Sequence, residues 1–340
     1  MKGLILAAGR GSRLTPLTDT VSKPLLPLAN RPLIDYPLQQ LLDAGITEIG
    51  IVANPDNRDE LEAALDGTAA RMHYIIQPEP LGLAHAVGCA REFCGGSEFV
   101  LLFADNVFLQ PLETGLAAWR ELQPDCIIHT IELDDPRAFG VAVLDGQRVV
   151  DLEEKPQNPR SNHGVIGIDI FTPEIFEAID SIQPSARGEY EITDAMMELV
   201  RRGRHVHAVP LVGPWYDTGT FSDLIRAHHC AMDTWQQFEL ADGIEQRQSH
   251  TVFDVDVQAG TRLDGARLIG PVRVASGCEI VDSVLEEYVS VGRDCRIQSC
   301  HFTNVQLMPG SRVRNLIARD CIIAPGLQVT AEGEKIPLDG

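Results

Sequence analysis

The sequence predicts an α/β protein in which a mixed, mainly parallel sheet covered by helices is followed by a short parallel β-helix. Three observations carry this reading. Short apolar runs alternate with helix-like segments through roughly the first 125 residues, the pattern of β-α-β units. Between Cys126 and Phe171 the pattern turns strand-rich. From about Thr251 to Val329 helical periodicity disappears, and apolar residues recur at spacings of five or six.

The candidate strands of the first part are Gly3 to Ala7, Glu48 to Ala53, Met72 to Gln77 and Phe99 to Ala104, with helices over Pro32 to Ala44 and Ala84 to Phe93. The strands are apolar on both faces, as a sheet covered on both sides requires. Four further strands are expected at Cys126 to Leu133, Gly140 to Leu144, Arg148 to Glu153 and Gly164 to Phe171. A helix starts near Thr193 and another spans Thr220 to Gln237. Residues 1–240 read as one domain.

In the last part, Val257, Leu263, Leu268, Val274 and Ile280, then Val291, Ile297, Phe302, Leu307 and Val313, mark the near-hexad spacing. Glycine corners at Gly260, Gly277, Gly292, Gly310 and Gly326 are separated by 17, 15, 18 and 16 residues. A repeat near 17 made of three near-hexads is what a three-sided parallel β-helix needs, one inward apolar residue per face. We place this domain at residues 250–330, packed on the first domain or on a second subunit.

Composition narrows the function classes. The 340-residue chain is 44% hydrophobic and carries a net charge of −21, which argues against nucleic acid or anionic membrane partners. No window approaches the roughly 20 apolar residues of a membrane span, and the opening apolar stretch is too short for a secretory signal. The eight cysteines form no C-x-x-C pair, fitting reduced thiols in a cytoplasmic enzyme. Within residues 1–31, however, five basic side chains (Lys2, Arg10, Arg13, Lys23, Arg31) face one acidic (Asp19), so an anion site can form there. Lysine is scarce: Lys2, Lys23, Lys155 and Lys335, against 24 arginines.

The loop Leu6-Ala7-Ala8-Gly9-Arg10-Gly11-Ser12-Arg13-Leu14 follows a strand and sets two glycines where the backbone turns and exposes N–H groups able to cradle phosphate. It is neither a dinucleotide fingerprint nor a P-loop, because Leu14 occupies the third glycine position and no Gly-Lys-Ser/Thr follows. Phe99 to Asp105 is an apolar strand ending in a carboxylate, where open α/β sheets place ligand chemistry. Asp217 in Trp215-Tyr216-Asp217-Thr218-Gly219-Thr220 ends another strand before a helix. Carboxylates at strand ends are hard oxygen donors of the kind a divalent cation takes. Gln77 can donate to and accept from a pyrimidine edge at once. Glu154-Lys155 sets an anionic and a cationic side chain side by side.

Gly9-x-Gly11-x-Arg13-Leu14-x-Pro16 followed by Ser22-Lys23-Pro24-Leu25-Leu26-Pro27 resembles the signature of the sugar-1-phosphate nucleotidyltransferases, and is most similar to the glucose-1-phosphate thymidylyltransferases. The resemblance continues through Gln77-Pro78-x-Pro80-x-Gly82, Phe139-Gly140-Val141, Glu153-Glu154-Lys155-Pro156, Val165-x-Gly167 and Ala186 to Asp194. It implies a Rossmann-like nucleotidyltransferase sheet and, for the longer subgroup, a C-terminal left-handed β-helix. It further implies transfer from a nucleoside triphosphate, dTTP, to glucose 1-phosphate. A UTP-dependent uridylyltransferase and a non-catalytic sugar-nucleotide-sensing subunit of the same fold are the alternatives.

By the resemblance, the backbone at Leu6, Ala8, Gly9, Gly11 and Ser12, with Arg13 and Lys23, holds the triphosphate. Gln77 and Gly82 meet the base, and Asp105 and Asp217 hold the catalytic Mg²⁺ between nucleotide and sugar phosphate. Lys155 and Arg187 grip the sugar phosphate, while Phe139, Glu154 and the Gly140 and Val165 backbones line the sugar. Phe139 replaces a more usual tyrosine, Ala8 a glycine, and Asn162-His163-Gly164 an Asn-Tyr-Ala, departures that point to the longer subgroup. A hexapeptide acyltransferase built on the tail and His301 would leave the first 240 residues unexplained. The substrates are the expected partners, and the enzyme is expected to be a homo-oligomer.

Overall fold

The computed structural model describes residues 1–234 and 238–330 of the 340-residue chain. Backbone contacts sort it into two compact units: Met1–Arg10 with Ile34–Trp215, and Gly11–Leu33 with the chain from Tyr216 onward. The second unit therefore takes in a piece of the N-terminal sequence as well as the C-terminal repeats.

The first unit is built on a nine-stranded sheet. Strands β1 (Lys2–Leu6), β2 (Glu48–Ala53), β3 (Arg71–Ile76) and β4 (Phe99–Phe103) lie parallel in the order β3-β2-β1-β4. The sheet continues through β5 (Cys126–Glu132), β6 (Gly140–Asp145), β7 (Arg148–Glu154), β8 (His163–Phe171) and β9 (Val206–Pro210), in the order β8-β5-β9-β7-β6. Strand β8 runs antiparallel to β4 and β5, β9 is parallel to β5, and β6 and β7 form a hairpin. Leu4, Leu6, Val52, Phe99, Leu101 and Phe171 lie in its core. That burial is why β1 and β4 read as unbroken apolar runs.

Helices α1 (Asp35–Asp43), α2 (Arg58–Ala64), α3 (Leu83–Cys89), α4 (Glu113–Leu122), α5 (Ile175–Ser181) and α6 (Ile192–Arg201) belong to this unit, and α7 (Phe221–Asp233) to the second. Three helix expectations shift. The helix expected from Pro32 begins at Asp35, because Arg31–Pro32 pairs with Pro27–Leu28 in a hairpin. The helix expected over Ala84 to Phe93 leaves helical geometry at Ala90 and resumes as the short turn Arg91–Cys94. Helix α7 ends at Asp233, and residues 235–237 of its expected extension lie outside the described residues.

The C-terminal repeats form a parallel β-helix. On one face Glu245, Arg262, Glu279 and Arg296 stack at intervals of 17 residues, and Arg312 and Gln328 follow at 16. Inward residues stack in ladders: Leu263, Ile280, Ile297, Val313 and Val329 on this face; Leu268, Leu285 and Phe302 on the next; Val257, Val274, Val291 and Leu307 on the third. Among the described residues no helix is long and apolar enough to cross a membrane.

Within the second unit the hairpin Pro27–Leu28/Arg31–Pro32 is held against α7 and the β-helix. Its turn residues Ala29 and Asn30 are both left-handed, with φ of 50° and 62°. The Ala29 N–H donates to Nδ1 of buried His228 at 3.2 Å, and His228 Nε2 lies 3.1 Å from the Tyr288 carbonyl. Both ring nitrogens are thus used by one neutral tautomer, Nδ1 accepting and Nε2 donating. Protonation would set an N–H against the Ala29 N–H.

Burial, first of all, holds the His228 pKa down at about 3, against about 6.5 in an unfolded chain. Above about 6.5 neither state binds the proton. As pH falls below that value the unfolded state gains one proton that the folded state refuses, so stability falls by up to about 1.4 kcal/mol per pH unit. Denaturant titrations between pH 6.5 and 4 should show a slope about one proton shallower in His228→Gln than in the parent. Parallel pH profiles would mean that His228 titrates normally in the folded chain.

Candidate functional site

In the first unit, β1 delivers the glycine loop. The Ala7 N–H donates to Val52 O at 2.8 Å and the Ala104 N–H to Leu6 O at 3.0 Å, fixing the loop's root. Two side chains then take up the loop carbonyls: Asn57 Nδ2 donates to Ala7 O at 2.8 Å and Asn54 Nδ2 to Ala8 O at 2.9 Å. The two asparagines are locked to each other, since each carboxamide oxygen accepts the other's backbone N–H at 2.9 Å. With its carbonyls occupied, the loop has amides to offer an anion. A Cβ on Gly9 would meet nothing within 4 Å, so the surface beside it is open. Asn54 and Asn57 were not among the sequence candidates; the turn-forming run Asn54-Pro55-Asp56-Asn57 after β2 is the signal that marks them.

Gln77 follows β3 and is buried. Its Nε2 donates to Gly82 O at 3.1 Å and lies 3.1 Å from His85 Nδ1. Gly82 has φ of 109°, and a Cβ there would sit 2.5 Å from the Tyr190 carbonyl oxygen. Tyr190 N–H donates to Leu81 O at 2.7 Å and Ala84 N–H to Tyr190 O at 3.0 Å, so the Gln77–Gly82 segment is clipped to the Arg187 loop. Asp105 occupies the turn between β4 and the short strand Asn106–Phe108. Asn106 Nδ2 pins that strand to the Ile166 carbonyl at 2.5 Å.

The expected acceptor residues come together around Glu154. The β6–β7 hairpin sets Gly140 opposite Glu154, and β8 sets Val165 opposite Gly140. Lys155 has the left-handed φ of 44° and donates its N–H to Phe139 O at 3.0 Å. Lys155 Nζ lies 3.5 Å and Arg187 Nη2 3.6 Å from Glu154 Oε1, while Thr193 Oγ1 donates to Oε2 at 3.0 Å. A Cβ on Gly140 would fall 2.4 Å from Thr193 Cγ2, so glycine is required at this approach. Arg187 is braced by Glu191 at 2.7 Å and Glu189 at 3.2 Å. Phe139 meets Trp215 edge-on, with ring centroids 5.7 Å apart. Burial raises the Glu154 pKa, opposed by Lys155, Thr193 and Arg187. The result is two partly exposed cations hinged on one recessed carboxylate.

In the second unit, Gly11 is left-handed (φ 65°), and a Cβ there would lie 2.7 Å from Lys23 Cβ. Lys23 is 8% exposed, its stem packed against the glycine. Thr18 Oγ1 donates to Gly11 O at 3.1 Å. Ser12–Leu14 forms a single 3₁₀ turn that presents Arg13. A Cβ on Gly219 would meet Arg13 Nη1 at 3.4 Å and both Asp217 carboxylate oxygens at 3.4 and 3.5 Å. Arg13 and Asp217 therefore face the same spot, just before α7, whose N-cap Thr220 accepts the Asp223 N–H at 3.2 Å. Among the described residues no cluster of three His, Cys, Asp or Glu could cage a metal. An ion completed by substrate phosphate oxygens needs fewer carboxylates than that.

The sequence profile described as Nucleotidyl transferase matches residues 2–234. The chain belongs to this nucleotidyltransferase family. It is an enzyme fold whose strand-end carboxylates and glycine loop suit nucleotide chemistry. A glucose-1-phosphate thymidylyltransferase of Streptomyces griseus is 36% identical over 98% of this chain and 95% of its own length. Another from Mycolicibacterium smegmatis is 36% identical over 72% of this chain and 85% of its own. Among solved structures, a Bacillus anthracis protein described as a glucose-1-phosphate thymidylyltransferase matches with a TM-score of 0.65 and 32% identity, over 70% of this chain and 97% of that one. A UDP-glucose pyrophosphorylase bound to UDP-glucose matches at 0.62 and 28%, over 69% and 99%.

The clip at Gly82 yields a direct test. Gly82→Ala must force apart the Gln77 segment and the Arg187 loop, because the obstruction is backbone and the φ is one that alanine resists. We expect a loss of at least about 2 kcal/mol in folding stability, read as a lower denaturation midpoint. A midpoint within error of the parent would place the Tyr190 backbone further from Gly82 than described.

Proposed function

We propose that this nucleotidyltransferase transfers the nucleotidyl group of dTTP to glucose 1-phosphate, giving dTDP-glucose and pyrophosphate, as a cytoplasmic homo-oligomer. The observation that supports it most is the hinge at Glu154, where Lys155 and Arg187 meet one carboxylate beside the close Gly140–Thr193 approach. Cations for a phosphate and hydrogen-bonding groups for hydroxyls stand within one cluster, as a sugar 1-phosphate demands. The Streptomyces relative supports the pairing of substrates. The eight free thiols fit a reducing compartment.

In this reading the attacking oxygen belongs to the sugar phosphate and is already ionised at neutral pH, so no protein base is required. It attacks the α-phosphorus in line, the P–O bond to the β-phosphate breaks, and pyrophosphate leaves with the electron pair. Catalysis then rests on positioning two mutually repelling anions and on neutralising charge as it develops. Lys155 and Arg187 take the sugar phosphate, exchanging part of their contact with Glu154 for it, and Glu154 with the Gly140 and Val165 backbones binds hydroxyls beside Phe139. Arg13 and Lys23 take the triphosphate, with backbone N–H groups from Ala8, Gly9, Gly11 and Ser12, while Leu6 ends the strand that leads into the loop.

Gln77 presents its carboxamide oxygen to the base while its nitrogen stays bonded to Gly82. Asp105 and Asp217 supply hard oxygens. Either carboxylate would suit Mg²⁺, which would supply positive charge to offset the charge that develops on the phosphates.

Two variants and one panel test this. Asp217→Asn should lower kcat by at least about 100-fold, the scale of losing a charge-stabilising group, with the fold intact by circular dichroism; near-parental turnover at saturating Mg²⁺ would refute its role. Lys155→Met should raise KM for the sugar phosphate by on the order of 10-fold or more while KM for the triphosphate holds. An unchanged sugar-phosphate KM would remove Lys155 from that pocket. Pyrophosphate release, measured for each common NTP against glucose, galactose, mannose and N-acetylglucosamine 1-phosphates, should be fastest with dTTP and glucose 1-phosphate. A preference for UTP would make the enzyme a uridylyltransferase, and no release from any pair would leave only a sensor.

A further inference from the structure

The hairpin that follows the Ser22-Lys23-Pro24 segment is bolted to the β-helix by buried polar contacts, all inside the second unit. Asn30 Nδ2 donates to two β-helix carbonyls, Val291 O at 2.9 Å and Arg273 O at 3.3 Å. Arg273, 4% exposed, reaches back to the Ala29 carbonyl through Nη1, while its Nε lies 3.1 Å from Asp256 Oδ2 on the preceding coil. The Ala29 N–H is taken by His228. Both polar groups of the Ala29 backbone and the carboxamide nitrogen of Asn30 are thus assigned to partners on α7 or the β-helix.

An arginine inside this surface is expensive unless paired, and here its charge is met by a carboxylate and a carbonyl. Such an arrangement adds little over an apolar packing in stability alone. It does fix orientation, because each of the four contacts made by Ala29 and Asn30 is directional and these turn residues are held in left-handed geometry. The rigidity passes to Lys23 through a short path. Leu33 N–H bonds Leu26 O at 3.0 Å and Leu26 N–H bonds Lys23 O at 3.1 Å. Leu26, Leu28 and Leu33 are all fully buried. The Lys23 stem in turn abuts Gly11 of the glycine loop.

We propose that the β-helix is part of the catalytic apparatus: Arg273 and Asn30, with His228, are positioning residues that set the Lys23 segment for the triphosphate. Arg273 and Asn30 touch no substrate. They act by holding the turn from which the Lys23 segment is hung. The proposal rests on the assignment of Lys23 to the triphosphate, and its test is arranged to separate the two.

Four variants of the full chain are compared by steady-state kinetics with dTTP and glucose 1-phosphate, and by thermal unfolding. Asn30→Gly removes the carboxamide but keeps left-handed freedom, and Arg273→Met removes the bridge at similar volume. Both should lower kcat/KM for dTTP by on the order of 10- to 100-fold, the scale of a displaced catalytic group, with KM for glucose 1-phosphate within about twofold of the parent. Arg273→Lys, which can reach one of the two partners, should recover part of the loss.

Ile297→Ala, inside the coil and off the turn, controls for lost stability; it should lower the unfolding temperature without the dTTP-specific defect. If Ile297→Ala reproduces that defect, or if Asn30→Gly and Arg273→Met fold and turn over dTTP like the parent, the proposal is overturned. If Arg273→Met does not fold, Asn30→Gly decides alone. Lys23→Met is measured beside them: unchanged dTTP kinetics there would defeat the Lys23 assignment itself, whereas a Lys23→Met defect with normal Asn30→Gly kinetics defeats only the positioning role.

Discussion

Bringing a sugar phosphate to a nucleoside triphosphate means overcoming the repulsion of two polyanions, and this chain must do so with a net charge of −21. Everything near the candidate site is shaped by that constraint. Cations cannot simply be massed there, because unpaired cations would repel one another before substrate arrived. Three of the candidate cations stand near carboxylates. Lys155 and Arg187 lean on Glu154, Arg187 also on Glu189 and Glu191, and Arg13 shares the approach to Gly219 with Asp217. A charge held this way is already oriented: Lys155 and Arg187 sit 3.5 and 3.6 Å from the same carboxylate oxygen. Exposed ion pairs at such distances stabilise a fold little. Their value lies in the geometry they keep.

The same economy accounts for how the neutral groups of the glycine loop are arranged. The glycine loop carries no lysine of its own; its carbonyls are taken by Asn54 and Asn57, leaving N–H groups. Backbone amides add fixed partial charges at no cost in net charge and with no reorganisation when phosphate arrives. Glycine is demanded wherever these surfaces crowd: Gly11 against Lys23, Gly82 against Tyr190, Gly140 against Thr193. In each case a single methyl group would collide at 2.7 Å or less. The close approaches are what bring groups distant in sequence within reach of one another.

Much of this could be read from the residues. The sheet strands were legible because burial on both faces leaves no polar interruptions between Gly3 and Leu6 or between Phe99 and Leu102. The observed ends differ by a residue or so, since the last residue of a run does not show whether its amide finds a partner. The β-helix was legible because one inward side chain per face must be apolar. Its period stumbles where the sequence stumbles: at His301–Leu307, left-handed Asn304 carries the chain around a corner without leaving the ladder, and the interval to the next coil drops to 16. That Glu154, Lys155 and Arg187 stand together was legible through the family resemblance, which grouped them, and not from their spacing. Asn54 and Asn57 were not, because a turn asparagine is ordinarily satisfied locally, and nothing in its spacing says that its amide reaches the loop of another strand.

The division of the chain into units was also hidden, and its reason is instructive. Sequence order suggests that residues 11–33 belong with the sheet they follow. Their contacts say otherwise: Leu26, Leu28 and Leu33 are wholly buried, and the hairpin they frame makes its directional bonds to α7 and the β-helix. A run such as Leu25-Leu26-Pro27-Leu28 announces that it will be buried but not against what, since apolar burial is non-directional. The polar residues hold the missing information. Asn30, His228 and Arg273 are individually unremarkable in sequence, and each would be costly to bury alone. Only together do they satisfy one another, so neither the hairpin nor the β-helix surface it meets is complete in hydrogen bonds without the other. A tail retained merely for solubility or bulk would have no need to place an arginine, a histidine and an asparagine around a single turn six residues beyond Lys23.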